Sequence, residues 1–321
     1  MSTVAEKESP TGTDGNTFIA NAKPIEHAQR AHQSFPGANY VLPSDPTERD
    51  RYVLAHTGVR LALQHKLLKG AFEDRLIICP VAICAEDCIL DSGTGSGTWL
   101  VDILSIVPTS TVVHAIDIEA RLFPTEVKEV VSRGNVEFMV ATITKLPPEW
   151  SDMFKLIHQR LLVAALRAEE WTIAIKEMMR TLAPGGWVQL DEVGSWKAGP
   201  TTEKHILLVQ DLFKAKSLVL DCARYIPDML RDLGFVNICV EERTIPLGSW
   251  AGDVGVAARD NFMGVFRGMK TPILNAGGLG VVGSEAEFDE LLDSVENEWN
   301  ETVGAEIRFY IFSAQKPDNK E

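Results

Sequence analysis

The period of apolar and polar positions changes several times along the chain, and each change marks an element. Residues 1–20 are rich in Ser, Thr, Gly and Glu without apolar periodicity, which predicts a disordered tail. A helix start is written from Ser44: Asp45 can cap, Pro46 suits the first helical position and Glu48 completes a capping box. Tyr52, Val59, Leu63 and Leu67 then form one apolar stripe that stops at Gly70. Beyond it the pattern alternates. Short apolar runs at 88–91, 111–117, 136–140, 155–162 and 187–193 predict strands. Residues 97–107 and 169–182 predict helices, the second with Trp171, Ala174, Met178 and Leu182 on one face and a stop at Pro184-Gly185-Gly186. Strands alternating with helices predict a doubly wound α/β fold, a largely parallel sheet with helices on both faces.

The remainder reads differently. Helices are expected near 203–219 and 226–233, a strand at 235–242, a polar and Gly-rich stretch, a helix near 285–300 and a final strand at 307–315. Two late strands separated by a helical insertion suit an antiparallel hairpin that closes one sheet edge. The expected organisation is one domain over residues 21–321. Helical cap segments at 40–70, 195–233 and 250–305 are expected over the ligand-binding edge.

Composition narrows the partners. The 321 residues are 45% apolar and 24% charged, with a net charge of −14. An acidic surface repels phosphate backbones and anionic headgroups, so neither nucleic acid nor a membrane surface is an expected partner. The polar start is no secretory signal, and no apolar run is long enough to span a bilayer. A cytoplasmic location is expected, with the nucleus open; the oligomeric state is not legible. Cys79, Cys84 and Cys88 lie in or beside apolar stretches and read as small core residues rather than metal ligands.

The chemistry sits in ILDSGTGSGT (89–98), which joins a strand to a helix. Glycines let backbone turn sharply beside a ligand, and Asp117, 20 residues past Gly97 at the end of the next strand, can accept both hydroxyls of a ribose. The spacing is G-x-G-x-G, not the G-x-G-x-x-G of dinucleotide sites. Asp91 beside the turn would repel a pyrophosphate and favour a sulfonium or an ammonium.

ILDSGTGSGTW resembles the first motif of class I S-adenosylmethionine-dependent methyltransferases. The chain is more narrowly similar to the fungal, LaeA-like group of secondary metabolism. The further matching segments are YVLPSD (40–45) with Glu48, Arg49, Arg51 and His56; Asp117; LIHQR (156–160); LAPGGWVQLDE (182–192); and Lys316-Pro317. The resemblance implies a seven-stranded sheet of order 3-2-1-4-5-7-6 and S-adenosylmethionine as cofactor. It implies Asp91 and Gly93 at the methionine part, with Ser92 and Gly95 in the same turn. It also implies Asp117 at the ribose, Ile118, Thr142 and Ile143 at the adenine, and Tyr40 closing over the site. Two positions depart from the pattern: Thr142 where the third strand is usually followed by an acid, and Lys155 where an acid usually opens the fourth.

His158, at the end of the fourth strand, is the candidate general base toward the acceptor. Arg160 is the candidate clamp for an acceptor carboxylate or phenolate, or else an ion-pair partner. Asp191 and Glu192 end the fifth strand, where they would position an amine or face solvent. Trp196, Trp250, Phe262 and Phe266 line an aromatic acceptor site or simply pack. No metal is expected. The expected reaction is methyl transfer to a small molecule. The alternatives are a LaeA-like regulator acting through protein partners and a non-methylating reaction such as cyclisation on the same fold.

Overall fold

The computed structural model describes residues 23–28, 35, 40–43 and 60–318. The expected tail, the helix start at Ser44 and the residues Tyr52, Val59, Glu48, Arg49, Arg51 and His56 lie outside the described residues.

Seven strands run in order: β1 (Cys88–Ser92), β2 (Val112–Asp117), β3 (Val136–Val140), β4 (Phe154–Arg160), β5 (Leu182–Lys197), β6 (Val236–Pro246) and β7 (Glu306–Gln315). They form one sheet of order β3-β2-β1-β4-β5-β7-β6. The β3-to-β5 part is parallel, and β7 runs antiparallel to both β5 and β6. Helices α1 (Arg60–Ala71), α2 (Thr98–Ile103), α3 (Lys128–Arg133) and α4 (Ala168–Thr181) accompany the parallel strands. Helices α5 (Pro200–Ala215) and α6 (Ile226–Asp232) follow β5, and α7 (Gly252–Gly268), α8 (Lys270–Asn275) and α9 (Glu285–Glu301) fill the insertion between β6 and β7.

The central strands bury apolar residues on both faces, Ile89, Leu90, Leu156 and Ile157 among them, because both faces are covered. Neighbours alternate between faces: Leu90 and Ile157 belong to one core with Trp171, Ala174 and Met178 of α4, whereas Ile89 and Leu156 belong to the other with Trp99, Leu100 and Ile103 of α2. Helix α4 starts on a reciprocal cap, with Arg167 N donating to Glu170 Oε2 at 2.8 Å. It ends at Thr181, so Leu182 opens β5 instead of closing the helix. Residues preceding a proline avoid helical backbone, and Ala183 precedes Pro184.

Two expectations need correction. The helix expected to run to 107 ends at Ile103, after which the chain continues in turns to the next strand. The helical cap expected over 250–305 opens with the 17-residue helix α7, which its buried Ala258, Phe262, Met263 and Phe266 hold in place. Its interior glycines lower intrinsic propensity, which packing overrides. Of the three clustered cysteines only Cys79 is buried; Cys84 is exposed and Cys88 half-buried. Among the described residues no helix is long and apolar enough to cross a membrane.

Candidate active site

A cavity of about 500 Å³ opens at the carboxyl ends of β1, β2, β3 and β4 and runs beneath the helices that follow β5 and β6. Open α/β sheets bind ligands at this edge. Its polar wall comes from short stretches of chain: residues 92–96 with Thr98, residues 116–119 and residues 141–144.

The turn after β1 is built for close approach. Gly93 and Gly97 sit at φ 68° and 69°, and a Cβ on Gly97 would come within 2.4 Å of Pro124. Thr94 N donates to Ile116 O at 2.9 Å, which ties the turn to the end of β2. The Asp117 carboxylate receives Gly95 N on Oδ2 and Glu119 N on Oδ1, both at 2.9 Å. Each carboxylate oxygen can accept a second donor, so the group keeps capacity toward the cavity. Burial pushes its pKa up to about 6, against the two backbone N–H groups that favour the anion. Next to it, Thr142 shares its hydroxyl with that of Thr144 at 2.8 Å. Tyr40, Ser92, Gly93, Gly95, Asp117, Ile118, Thr142 and Ile143 all line this cavity.

Asp91 and His158 do not line it. They pair directly across β1 and β4 and are 2% and 1% exposed. Asp91 accepts the Thr94 hydroxyl at 2.6 Å and binds His158 Nδ1 at 2.8 Å. His158 Nε2 lies 3.5 Å from Asp191 Oδ2, an ion-pair approach without hydrogen-bond geometry. The imidazole is stacked on Trp99 with ring centroids 3.7 Å apart and planes 5° apart. Burial lowers the His158 pKa, but Asp191 and Asp91 outweigh it and hold it above the ordinary value. The expected general base is thus a buried imidazole between two carboxylates that favour its charged form, and the expected methionine ligand Asp91 is already committed inside the protein. The motif placed both residues at the right strand ends; only the packing shows that they turn away from the cavity.

Arg160 does reach the cavity. Its NH1 donates to His65 Nδ1 and its NH2 to the Thr98 hydroxyl, both at 2.9 Å. His65 Nε2 in turn meets Asp102 Oδ2 at 3.1 Å, and Lys69 Nζ donates to the same oxygen at 2.7 Å. Burial and the Arg160 charge push His65 down to about 4, so it is neutral and accepts from the guanidinium. This chain of partners was not foreseen; the only sequence signal was His65 and Lys69 one helical turn apart. Asp191 and Glu192 neither line the cavity nor face solvent. Glu192, fully buried and with its pKa pushed up to about 8 by burial, accepts Leu162 N at 2.8 Å and Val163 N at 3.3 Å. It fixes the loop after β4.

The opposite wall is apolar. Leu42, Trp196, Phe213, Phe262, Phe266 and Met269 are among its residues. Three of the four aromatic candidates are therefore in place. Trp250 is not: it lies on a short turn after β6, with Nε1 donating to Leu247 O at 2.7 Å.

A family profile described as a methyltransferase domain matches residues 89–186, from β1 into the start of β5. An N-methyltransferase of Clonostachys rogersoniana, verN, is 29% identical over 318 residues, covering 95% of this chain and all of the relative. The N-methyltransferase gliN of Aspergillus fumigatus is 28% identical over 80% of this chain and 93% of its own length. The chain carries a methyltransferase domain and is an S-adenosylmethionine-dependent methyltransferase. Its reaction is methyl transfer from S-adenosylmethionine to a small-molecule acceptor. Among solved structures, phosphoethanolamine N-methyltransferase 2 of Haemonchus contortus overlays with a TM-score of 0.45 at 16% identity, over 82% of this chain and 53% of that one. A geranyl diphosphate methyltransferase overlays at 0.46 and 13% identity, over 92% and 98%. The methyltransferase cofactor suits the residues present: an acid with spare acceptor capacity at the cavity wall, and a glycine turn beside it that admits close backbone approach.

Proposed function

We propose that this methyltransferase methylates a nitrogen of a small, mostly apolar molecule of fungal secondary metabolism, by alignment and water exclusion rather than through a protein base. One observation carries the reading. The cavity joins the glycine turn to a wall of aliphatic and aromatic side chains, and among the described residues lining it there is no histidine or cysteine. The N-methyltransferases of fungi reported above support nitrogen as the nucleophile.

Asp117 would take the ribose hydroxyls, Ile118, Thr142 and Ile143 the adenine, and Ser92, Gly93 and Gly95 the methionine side, with Tyr40 at the mouth. When bound, S-adenosylmethionine supplies a methyl group made electrophilic by its sulfonium. The apolar wall disfavours a charged ammonium on the acceptor, since burial lowers an amine's pKa. An amine held there is therefore neutral and presents its lone pair without help from a base. What remains for the protein is to hold the acceptor in line and keep water out.

The test uses a panel of apolar aromatic amines, each matched by an alcohol and a thiol of the same shape. The purified protein with S-adenosylmethionine should add one methyl to amines only, read by mass spectrometry. Methylated alcohols or thiols with untouched amines would overturn the assignment.

A further inference from the structure

We propose that Arg160 is the anchor for the carboxylate of the methionine arm, held ready by the His65–Asp102–Lys69 chain; this rests on the cofactor placement proposed above.

Topology gives the first reason. With the ribose at Asp117 on β2 and the adenine toward residues 142 and 143 after β3, the methionine arm must run the other way, over β1 toward β4. Neighbouring strands are about 4.8 Å apart, so β2 and β4 ends stand about 10 Å apart, within reach of a ribose and an extended arm. Arg160 is the last residue of β4 and lines the cavity at that end.

Charge gives the second. Among the described residues two arginines line the cavity, Arg160 and Arg167. Arg167 directly precedes α4, the helix that follows the β4 loop, so it is not at the β4 end where the arm arrives. Arg160 spends two of a guanidinium's five N–H groups, on a neutral imidazole and a hydroxyl. No carboxylate oxygen among the described residues pairs with it directly; Asp191, Asp91 and Asp102 act on it only at longer range. Asp91 and Asp191 flank the His158 imidazole, and Asp102 binds Lys69. The remaining N–H groups are the matched donors for a carboxylate.

The third reason is that the side chain is held in place. His65 accepts from NH1 because its other nitrogen is engaged by Asp102, which Lys69 secures from the next turn of α1. The guanidinium is thus fixed before a ligand arrives, so little side-chain entropy is lost on binding.

Calorimetry with three ligands tests this: S-adenosylhomocysteine, its decarboxylated analogue that keeps the amine, and 5′-methylthioadenosine, which lacks the whole arm. The wild-type protein should prefer S-adenosylhomocysteine to the decarboxylated analogue by at least tenfold. Arg160→Gln should erase that preference while 5′-methylthioadenosine binds within twofold of wild type. Arg160→Lys should restore part of it. Should Arg160→Gln not fold, the wild-type preference together with a weaker one in His65→Gln decides the matter. Equal losses for all three ligands would reduce Arg160 to a structural role, and an unchanged preference would overturn the proposal. An effect only on acceptor KM would return Arg160 to the acceptor. Failure of the wild-type protein to bind any of the three would instead overturn the cofactor placement itself.

Discussion

The two walls of the cavity are made in different ways. The polar wall comes from the ends of three adjacent strands, each followed at once by residues that face the cavity. The cap wall collects Leu42, Trp196, Phe213, Phe262 and Phe266 from segments far apart in the chain. Strand ends in a parallel sheet face one edge by construction, so a local motif there carries its function with it. The cap residues converge only because α5 and α7 dock over that edge, and nothing local to Phe262 or Trp196 announces it.

The most disruptive way to probe the boundary between the walls is His158→Ala. It leaves Asp91 and Asp191 buried without their counter-charge, and removing one partner of a buried ionic group costs about 3–5 kcal/mol. Urea unfolding should show a loss of that size. Little loss of stability with a collapsed methylation rate would restore His158 to catalysis. The pH sign follows from its raised pKa. The contribution of the imidazolium is fully present below the ordinary histidine value and fades as pH rises through the raised one.

Asp117→Ala probes the polar wall alone. Losing charge-assisted bonds of about 1.5–3 kcal/mol each should weaken S-adenosylhomocysteine by tenfold or more. The acceptor wall and the melting temperature should be little changed. Unaltered affinity would mean that Asp117 serves only the glycine turn.

A gentler test of the same wall is pH. The free carboxyl titrates near 6, and only its anion accepts from two hydroxyls. Affinity for S-adenosylhomocysteine should be constant above about pH 7 and fall as pH drops through 6, toward about tenfold per unit at the limit. Asp117→Asn should flatten that profile. The same titration acts oppositely on the ligand-free fold, because a raised carboxyl pKa favours folding at lower pH.

The smallest effect belongs to the cap. Phe266→Leu should cost under about 1.5 kcal/mol of stability. It should raise the acceptor KM severalfold while leaving S-adenosylhomocysteine binding unchanged. A parallel loss of cofactor affinity would show that the walls are not separable.

Much of the polar wall of the cavity was legible. Gly93, Gly95 and Asp117 stand where the spacing put them, because turn geometry and strand alternation are local constraints. Asp91 and His158 stand in the core instead of at the cavity for an equally physical reason. Adjacent strand-end residues point alternately to opposite faces, and one step in register decides between cavity and core. The helical cap over 250–305 was legible, but the bounds of α7 were not, because its glycines obscure a buried face that only packing reveals. The Arg160–His65–Asp102–Lys69 chain was missed because it joins three elements that no short motif connects.

The order of polar and apolar residues determined a doubly wound sheet, a glycine turn beside β1 and an acid at the end of β2, since each depends on a few consecutive residues. Tertiary structure alone decided which charged groups meet the ligand and which neutralise one another in the core. Burial raises the cost of every unpaired charge, so partners are settled by what packs within a few ångströms, and the chain's own order does not specify that.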